Sequence, residues 1–301
     1  MGADKPKKEC SNMTLRTAIA RITGNDTVNY WFTNRIPRRT LTRLVGRLAK
    51  IEQPMVRDAS IGIWRLFSDL DLSEAQTTQF RSLHECFIRE LKDGARPVEQ
   101  RLDVLTSPCD GIVGASGCIE DSVMLQVKGS SYLLSDLVQD ETLVTSYRNG
   151  RYVTLRLTST MYHRFHAPHD ARVLEVAHIA GDTWNVNPPT LKRVGRVYCR
   201  NERAVIRMRL AQSRRLVTLV PVAAILVAGI RLKFLDMPVE RNHVQPWSTP
   251  CDVTLRKGDE MGWFEHGSTI IVLAEDGFEL CDTIHEGMTI RMGQPLMRLP
   301  E

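Results

Sequence analysis

The feature that most constrains this chain is a change of pattern at Ser107-Pro108. On the N-terminal side, Leu41, Leu44, Val45 and Leu48 recur at helical spacing, with Arg39, Arg43, Arg47 and Lys50 between them. That is the layout of a helix with one apolar and one cationic face. On the C-terminal side come short β-type runs: Gly111–Gly114, Val153–Leu157, Ala204–Leu210, Leu216–Val220 and Ile270–Leu273. Turn signals at Asn149-Gly150, Gly181-Asp182 and Gly258-Asp259 separate them, as expected of strands joined by tight connections. Helices followed by strands define an α+β class. The chain therefore reads as a polar extension over 1–34, a helical region over 35–104, and a β-rich, barrel- or sandwich-like core over 105–301. Ser73 is the expected N-cap of one helix. A further helix over Leu83–Leu91 is expected to stop at Asp93-Gly94. The apolar run Leu216–Ile230 contains Pro221 and is too short to span a bilayer, so it reads as buried strand.

Composition narrows the class. With 43% hydrophobic and 25% charged residues, the chain is globular rather than disordered. Seven cysteines, an odd count with no CxxC pair, argue against a disulfide framework or a structural zinc site and point to a reducing cytosol. The start MGADKPKKEC has no apolar stretch of the kind a secretory signal needs. No ordinary transmembrane helix is expected. A net charge of +5 is mild and does not call for nucleic acid. The cations are uneven, however: residues 35–50, RIPRRTLTRLVGRLAK, contain no acid. An anionic surface is the natural partner of such a segment.

Three distant segments offer chemistry: Ser107-Pro108-Cys109-Asp110-Gly111, Tyr162-His163-Arg164-Phe165-His166-Ala167-Pro168, and His266-Gly267-Ser268-Thr269. Together they hold a carboxylate, histidines and a serine. A serine hydroxyl attacks only when a base takes its proton, and a histidine serves better when its ring is oriented. Singly, each segment has a plainer reading. Asp110-Gly111 can be a simple turn, the two histidines can pack or bind metal, and Gly267-Ser268-Thr269 can be a strand entry. The serine also lacks the G-x-S-x-G frame of a hydrolase elbow, because Ile270 stands where the second glycine would be.

The combination resembles the phosphatidylserine decarboxylase family, in its longer bacterial form, over about residues 35–301. The motifs that carry the resemblance are Ser107–Gly111, Gln126–Leu134, Tyr162–Pro168, Gly181–Pro188, Asn201-Glu202-Arg203, and Glu260–Phe264 followed by Gly267-Ser268-Thr269. Two positions depart from the family pattern: His266 stands in place of the usual Leu, and Cys109 in place of the usual Ala. The first sets another imidazole beside the cleavage point.

The resemblance implies a lyase made as a zymogen. Asp110 would orient His166, His166 would take the proton of Ser268, and the hydroxyl would attack the carbonyl of Gly267. The chain would part between 267 and 268 and leave a pyruvoyl cofactor, derived from Ser268, on the shorter piece. That carbonyl would accept electrons as carbon dioxide leaves the substrate, with His163 assisting decarboxylation or reprotonation. No metal is implied. The product would be phosphatidylethanolamine, and the protein a heterodimer of its own two chains, itself paired into a dimer. The basic helix 35–50 would hold it peripherally on the cytoplasmic side of the cell membrane, against anionic lipid. Three alternatives stay open: a serine hydrolase using Asp110, His166 and Ser268, a lipoyl-like β module, and a decarboxylase of a related aminophospholipid.

Overall fold

The computed structural model describes residues 38–125, 131–224, 229–235, 247–265 and 268–300. The extension 1–34, the Gln126–Ser130 part of the second motif, and His266-Gly267 lie outside the described residues, as do the side chains of Arg39, Arg43 and Ser268.

Two helices open the described chain, α1 (Arg38–Ala49) and α2 (Pro54–Phe67), followed by the short α3 (Leu83–Phe87). Then come β1 (Val104–Thr106), β2 (Gly111–Glu120), β3 (Val123–Leu125) and β4 (Ser131–Leu133). The helical turns α4 (Leu134–Val138) and α5 (Glu141–Ser146) lead to β5 (Arg151–Arg156), β6 (Arg164–His166) and β7 (Ala171–Ile179). After α6 (Pro188–Leu191) and α7 (Val197–Arg200) follow β8 (Arg203–Leu210), β9 (Leu216–Ala223), β10 (Ile230–Leu232), β11 (Trp247–Leu255) and β12 (Glu260–Phe264). The chain closes with β13 (Ser268–Ala274), β14 (Glu279–Leu280), β15 (Thr289–Ile290) and β16 (Pro295–Arg298).

The core is one antiparallel sheet ordered β11-β7-β8-β9-β13-β5-β2-β3-β4, with β15 added to β2. Two small sheets, β10-β12-β6 and β1-β16-β14, accompany it. The strand order does not return on itself, so the expected barrel is not closed. The α+β class holds.

Strand β13 lies at the centre, between β9 and β5. Its residues Ile270 to Ala274 are all fully buried. Successive side chains of a strand point to opposite faces, and here both faces are covered. Ile270 and Val272 join a core with Phe165, Met261 and Phe264, whereas Ile271 and Leu273 join a second core with Tyr147, Tyr152 and Tyr198. Burial on both faces is why this strand and β9 are continuous apolar runs rather than alternating ones.

Several expectations need correction. Leu216–Ile230 is not one strand: β9 ends at Ala223 and Ile230 begins β10. Ser73 caps no helix. Its N–H and hydroxyl bond to Asp71 in a local turn, the competing use of such side chains. The cap is Ser82, whose Oγ accepts the Glu85 N–H. The following helix stops at Phe87, because Leu91 pairs as a strand bridge with Ala75. Helix therefore does not fill 38–104. Among the described residues, no helix is long and apolar enough to cross a membrane.

Candidate active site

Strand register brings two of the three chemical segments to one end of the sheet. Ile112 on β2 pairs with Arg156 on β5, and Arg156 pairs with Thr269 on β13. The backbone entering β2 from Asp110 and the backbone beginning β13 at Ser268 thus lie two strand spacings apart, about 10 Å. The third segment joins through β6. The His166 N–H bonds to the Pro108 carbonyl at 2.8 Å, two residues before Asp110. One residue earlier than β6, the His163 carbonyl accepts the Phe264 N–H at 3.0 Å, four residues before Ser268.

His166 is held at both ring nitrogens. Nδ1 is 2.8 Å from the Gly258 carbonyl. A carbonyl only accepts, so Nδ1 carries the proton and Nε2 carries the lone pair. The Tyr162 hydroxyl, 2.9 Å away, donates to Nε2. Gly258 sits at φ +88° in the turn before β12, a conformation that glycine adopts without strain. Burial of His166 lowers its pKa and outweighs the opposing Gly258 bond. Burial likewise pushes the Tyr162 phenol up. The result is a neutral imidazole with its lone pair at Nε2, the protonation state a general base needs.

Among the described residues, the Asp110 carboxylate is hydrogen-bonded to groups other than the His166 ring. It accepts a two-pronged contact from Arg96, at 2.8 and 2.6 Å, and the Met292 N–H at 2.9 Å. Bidentate guanidinium pairing of this kind is strong and directional. Asp110 therefore fixes the Ser107–Gly111 segment against the chain's last strands, and the Gly258 carbonyl is the group bonded at His166 Nδ1. His163 is fully buried, its ring centroid 3.9 Å from that of Phe87.

The start of β13 is braced from behind. Ser268 pairs with Ala223. The Ala223 carbonyl accepts from the Asn201 amide, and its N–H donates to the Glu202 carbonyl, each at 2.8 Å. Arg203, fully buried, gives its guanidinium to the carbonyls of Leu137, Asp136, Cys199 and Asn201. The Asn201-Glu202-Arg203 motif is thus a support for the strand that begins at the serine.

Two features had no clear signal in the sequence. Arg96 lies in no motif, yet its fork closes on Asp110. Glu265, three residues before Ser268, is buried and bound by Lys50 at 3.0 Å and Arg231 at 3.2 Å, with His84 at 3.8 Å. Burial pushes its carboxyl up, but the Lys50 hydrogen bond and the surrounding cations outweigh this and hold it below the usual range. Among the described residues, no cluster of ligating side chains could hold a metal ion.

Sequence comparisons place the chain among known proteins. The family model described as phosphatidylserine decarboxylase matches residues 83–298. A protein of Vibrio parahaemolyticus named phosphatidylserine decarboxylase proenzyme is 33% identical over 284 residues, covering 89% of this chain and 96% of its own. A protein of the same name from Haemophilus influenzae is 34% identical, covering 87% and 92%. Another from Acinetobacter baylyi is 34% identical, covering 80% and 84%.

Proposed function

Because the chain belongs to the phosphatidylserine decarboxylase family, we propose that it converts phosphatidylserine to phosphatidylethanolamine after cutting itself between Gly267 and Ser268. The observation that carries this reading is the convergence just described: a neutral imidazole on the segment bonded to Pro108, and a sheet register that brings Asp110 and Ser268 to the same end.

In self-cleavage His166 Nε2 exchanges the Tyr162 hydroxyl for that of Ser268 and takes its proton. The serine oxygen attacks the Gly267 carbonyl carbon, and the acyl group passes from nitrogen to oxygen as the amine recovers a proton. Loss of the Ser268 α-proton then breaks the Cβ–O bond and releases the Gly267 carboxylate. Water replaces the nitrogen, which leaves as ammonia, and a pyruvoyl group remains. Asp110, locked to Arg96, holds the Ser107–Gly111 segment to which the His166 backbone is bonded. Preorganised geometry of this kind is what converts a slow backbone reaction into a useful one.

The fold accommodates such a cut. The short product would contribute β13 between β9 and β5, β15 beside β2, and β16 beside β1. Its five buried apolar residues 270–274 keep it in the core. Both products then stay in one folded unit of residues 105–301 with the helical region 35–104 against it, and two such units form the dimer.

Position 268 suits the prosthetic group, since a chain start there emerges at the end of a buried strand beside the segments bearing His166 and Asp110. The group supplies an electron-accepting carbonyl when formed. The protein's part is to bind the lipid head group, exclude water and deliver the proton that replaces carbon dioxide. His163, with its carbonyl on Phe264, is assigned that proton.

The lipid is reached from the helical side. Leu44 and Leu48 of α1 and Met55, Ile63 and Phe67 of α2 are each at least half exposed. An apolar face beside a basic segment suits peripheral attachment to the cytoplasmic leaflet. The test of function is purified protein supplied with phosphatidylserine labelled at the serine carboxyl. Labelled carbon dioxide is expected, and none with Ser268→Ala. Release of fatty acid or phosphoserine instead would favour a hydrolase.

A further inference from the structure

A cavity of about 560 Å³ opens where the helical region meets the core. That volume suits a small polar molecule or lipid head group. It adjoins both halves of the active site. Lys50 and His84 line it and face Glu265, near the scissile bond. Arg89 and Arg164 line it too, and Arg89 Nη2 donates to the Thr160 carbonyl at 2.8 Å, at the entrance to the Tyr162–His166 segment.

The cations of this cavity are not equivalent. Lys50 is paired with Glu265, Arg81 with Glu85, and Arg164 with Glu260 and Glu90. Arg89 differs. It is 6% exposed, yet among the described residues no carboxylate forms an ion pair with it, and its Nε has no hydrogen-bond partner. An arginine stays charged at any ordinary pH, and a buried charge without a counter-ion is unfavourable. Such a cation in the wall of a cavity is explained when an anion enters.

Resting on the proposed function, we infer that Arg89 binds the phosphodiester of the aminophospholipid head group and so sets recognition of the substrate. The other anion of that head group, the serine carboxylate, is a poor candidate. A cation that gripped it would stabilise the charge that the reaction must remove, favouring the ground state over the transition state. The phosphate keeps its charge throughout, so its hold on Arg89 tethers substrate without opposing the chemistry. Lys50, the residue after α1, lines the cavity and so joins it to the helix assigned to the lipid surface.

The experiment uses processed, full-length protein in mixed micelles. In Arg89→Gln, KM for phosphatidylserine is expected to rise about tenfold or more with kcat within about twofold, the pattern of lost uniform binding. Arg148→Gln, which removes an exposed, already paired cation outside the cavity, should leave both constants unchanged. Glycerophosphoserine should compete with substrate in the wild type and lose that competition in Arg89→Lys, which keeps the charge but not the fork. An unchanged KM in a fully processed Arg89→Gln overturns the inference, as does equal inhibition by inorganic phosphate and glycerophosphoserine, which would mark a plain anion site. If Arg89→Gln does not process, the competition arm decides: no competition by glycerophosphoserine in the wild type overturns it. Absence of any carbon dioxide from wild-type protein would instead count against the proposed function.

Discussion

Lys50 Nζ lies 3.0 Å from Glu265 Oε2, joining the residue after α1 to the residue three before Ser268. Arg231 on β10 and His84 on α3 approach the same carboxylate. The segment that must bend for self-cleavage is therefore anchored from three elements. Its N–H is held as well, by the Gly229 carbonyl at 2.9 Å.

Removing the charge at that anchor should slow processing more than it destabilises the fold. Lys50 is 43% exposed at its side chain, so water can hydrate it when the partner is lost, and the stability change should stay near 1 kcal/mol. A small displacement of reacting groups is far more damaging to rate. Glu265→Gln is expected to slow self-cleavage about ten- to a hundredfold, followed by gel or mass spectrometry, with a urea midpoint close to wild type. Wild-type processing kinetics in this variant would show that the anchor plays no part.

The pH dependence of processing follows from His166. In the proposed reaction its neutral form is the base, and burial depresses its pKa from an ordinary value of about 6.5. A depressed pKa means that the basic form survives to lower pH. The rate should thus be flat from neutral to mildly alkaline pH and fall only as acid titrates the ring below about 6.5. Glu265 is held ionised across that window, so its anchor does not contribute to the fall. A midpoint above the ordinary histidine value would contradict this assignment.

Gly262 tests the seating of β12 on β10. A Cβ added there would lie 1.9 Å from the Arg231 carbonyl oxygen, a backbone atom that cannot step aside. Gly262→Ala should destabilise the protein by roughly 3 kcal/mol or more and impair processing together with it. Chemical denaturation measures the first and intact mass the second. A variant of native stability would mean that the two strands can separate freely.

Arg203 makes a complementary prediction away from the chemistry. Replacing it with Met leaves four carbonyls, buried or part-buried, without this donor, each loss costing about 1 kcal/mol. Arg203→Met should lower the unfolding free energy by roughly 3 kcal/mol or more. A loss below about 1 kcal/mol would contradict the role assigned to it.

Much of this was legible in the sequence, for identifiable reasons. The β-rich core announced itself through Val- and Ile-rich runs bounded by Asn-Gly and Gly-Asp turns, and β5, β8 and β13 lie close to the predicted runs. The helix ends were misread because Ser73 and Asp71 satisfy each other locally, which no periodicity reveals. Open rather than closed sheet topology depends on long-range pairing, and the letters of β11 and β4 do not encode it. At the site, the motifs located His166 and Asp110 but not their partners. The Gly258 carbonyl is a backbone atom, and Arg96 reaches Asp110 from outside any motif. Such backbone and out-of-motif partners leave no mark in the letters of the motifs themselves.

The central claim is that this chain makes its own catalytic group by breaking the bond before Ser268. Intact mass spectrometry of the purified protein measures this directly. Two species are predicted, residues 1–267 and residues 268–301, the shorter one starting with a blocked, carbonyl-bearing terminus that reacts with a hydrazine probe, while Ser268→Ala remains a single chain. A wild-type protein that is active on phosphatidylserine yet runs as one uncut mass, with an unmodified serine at 268, would contradict it.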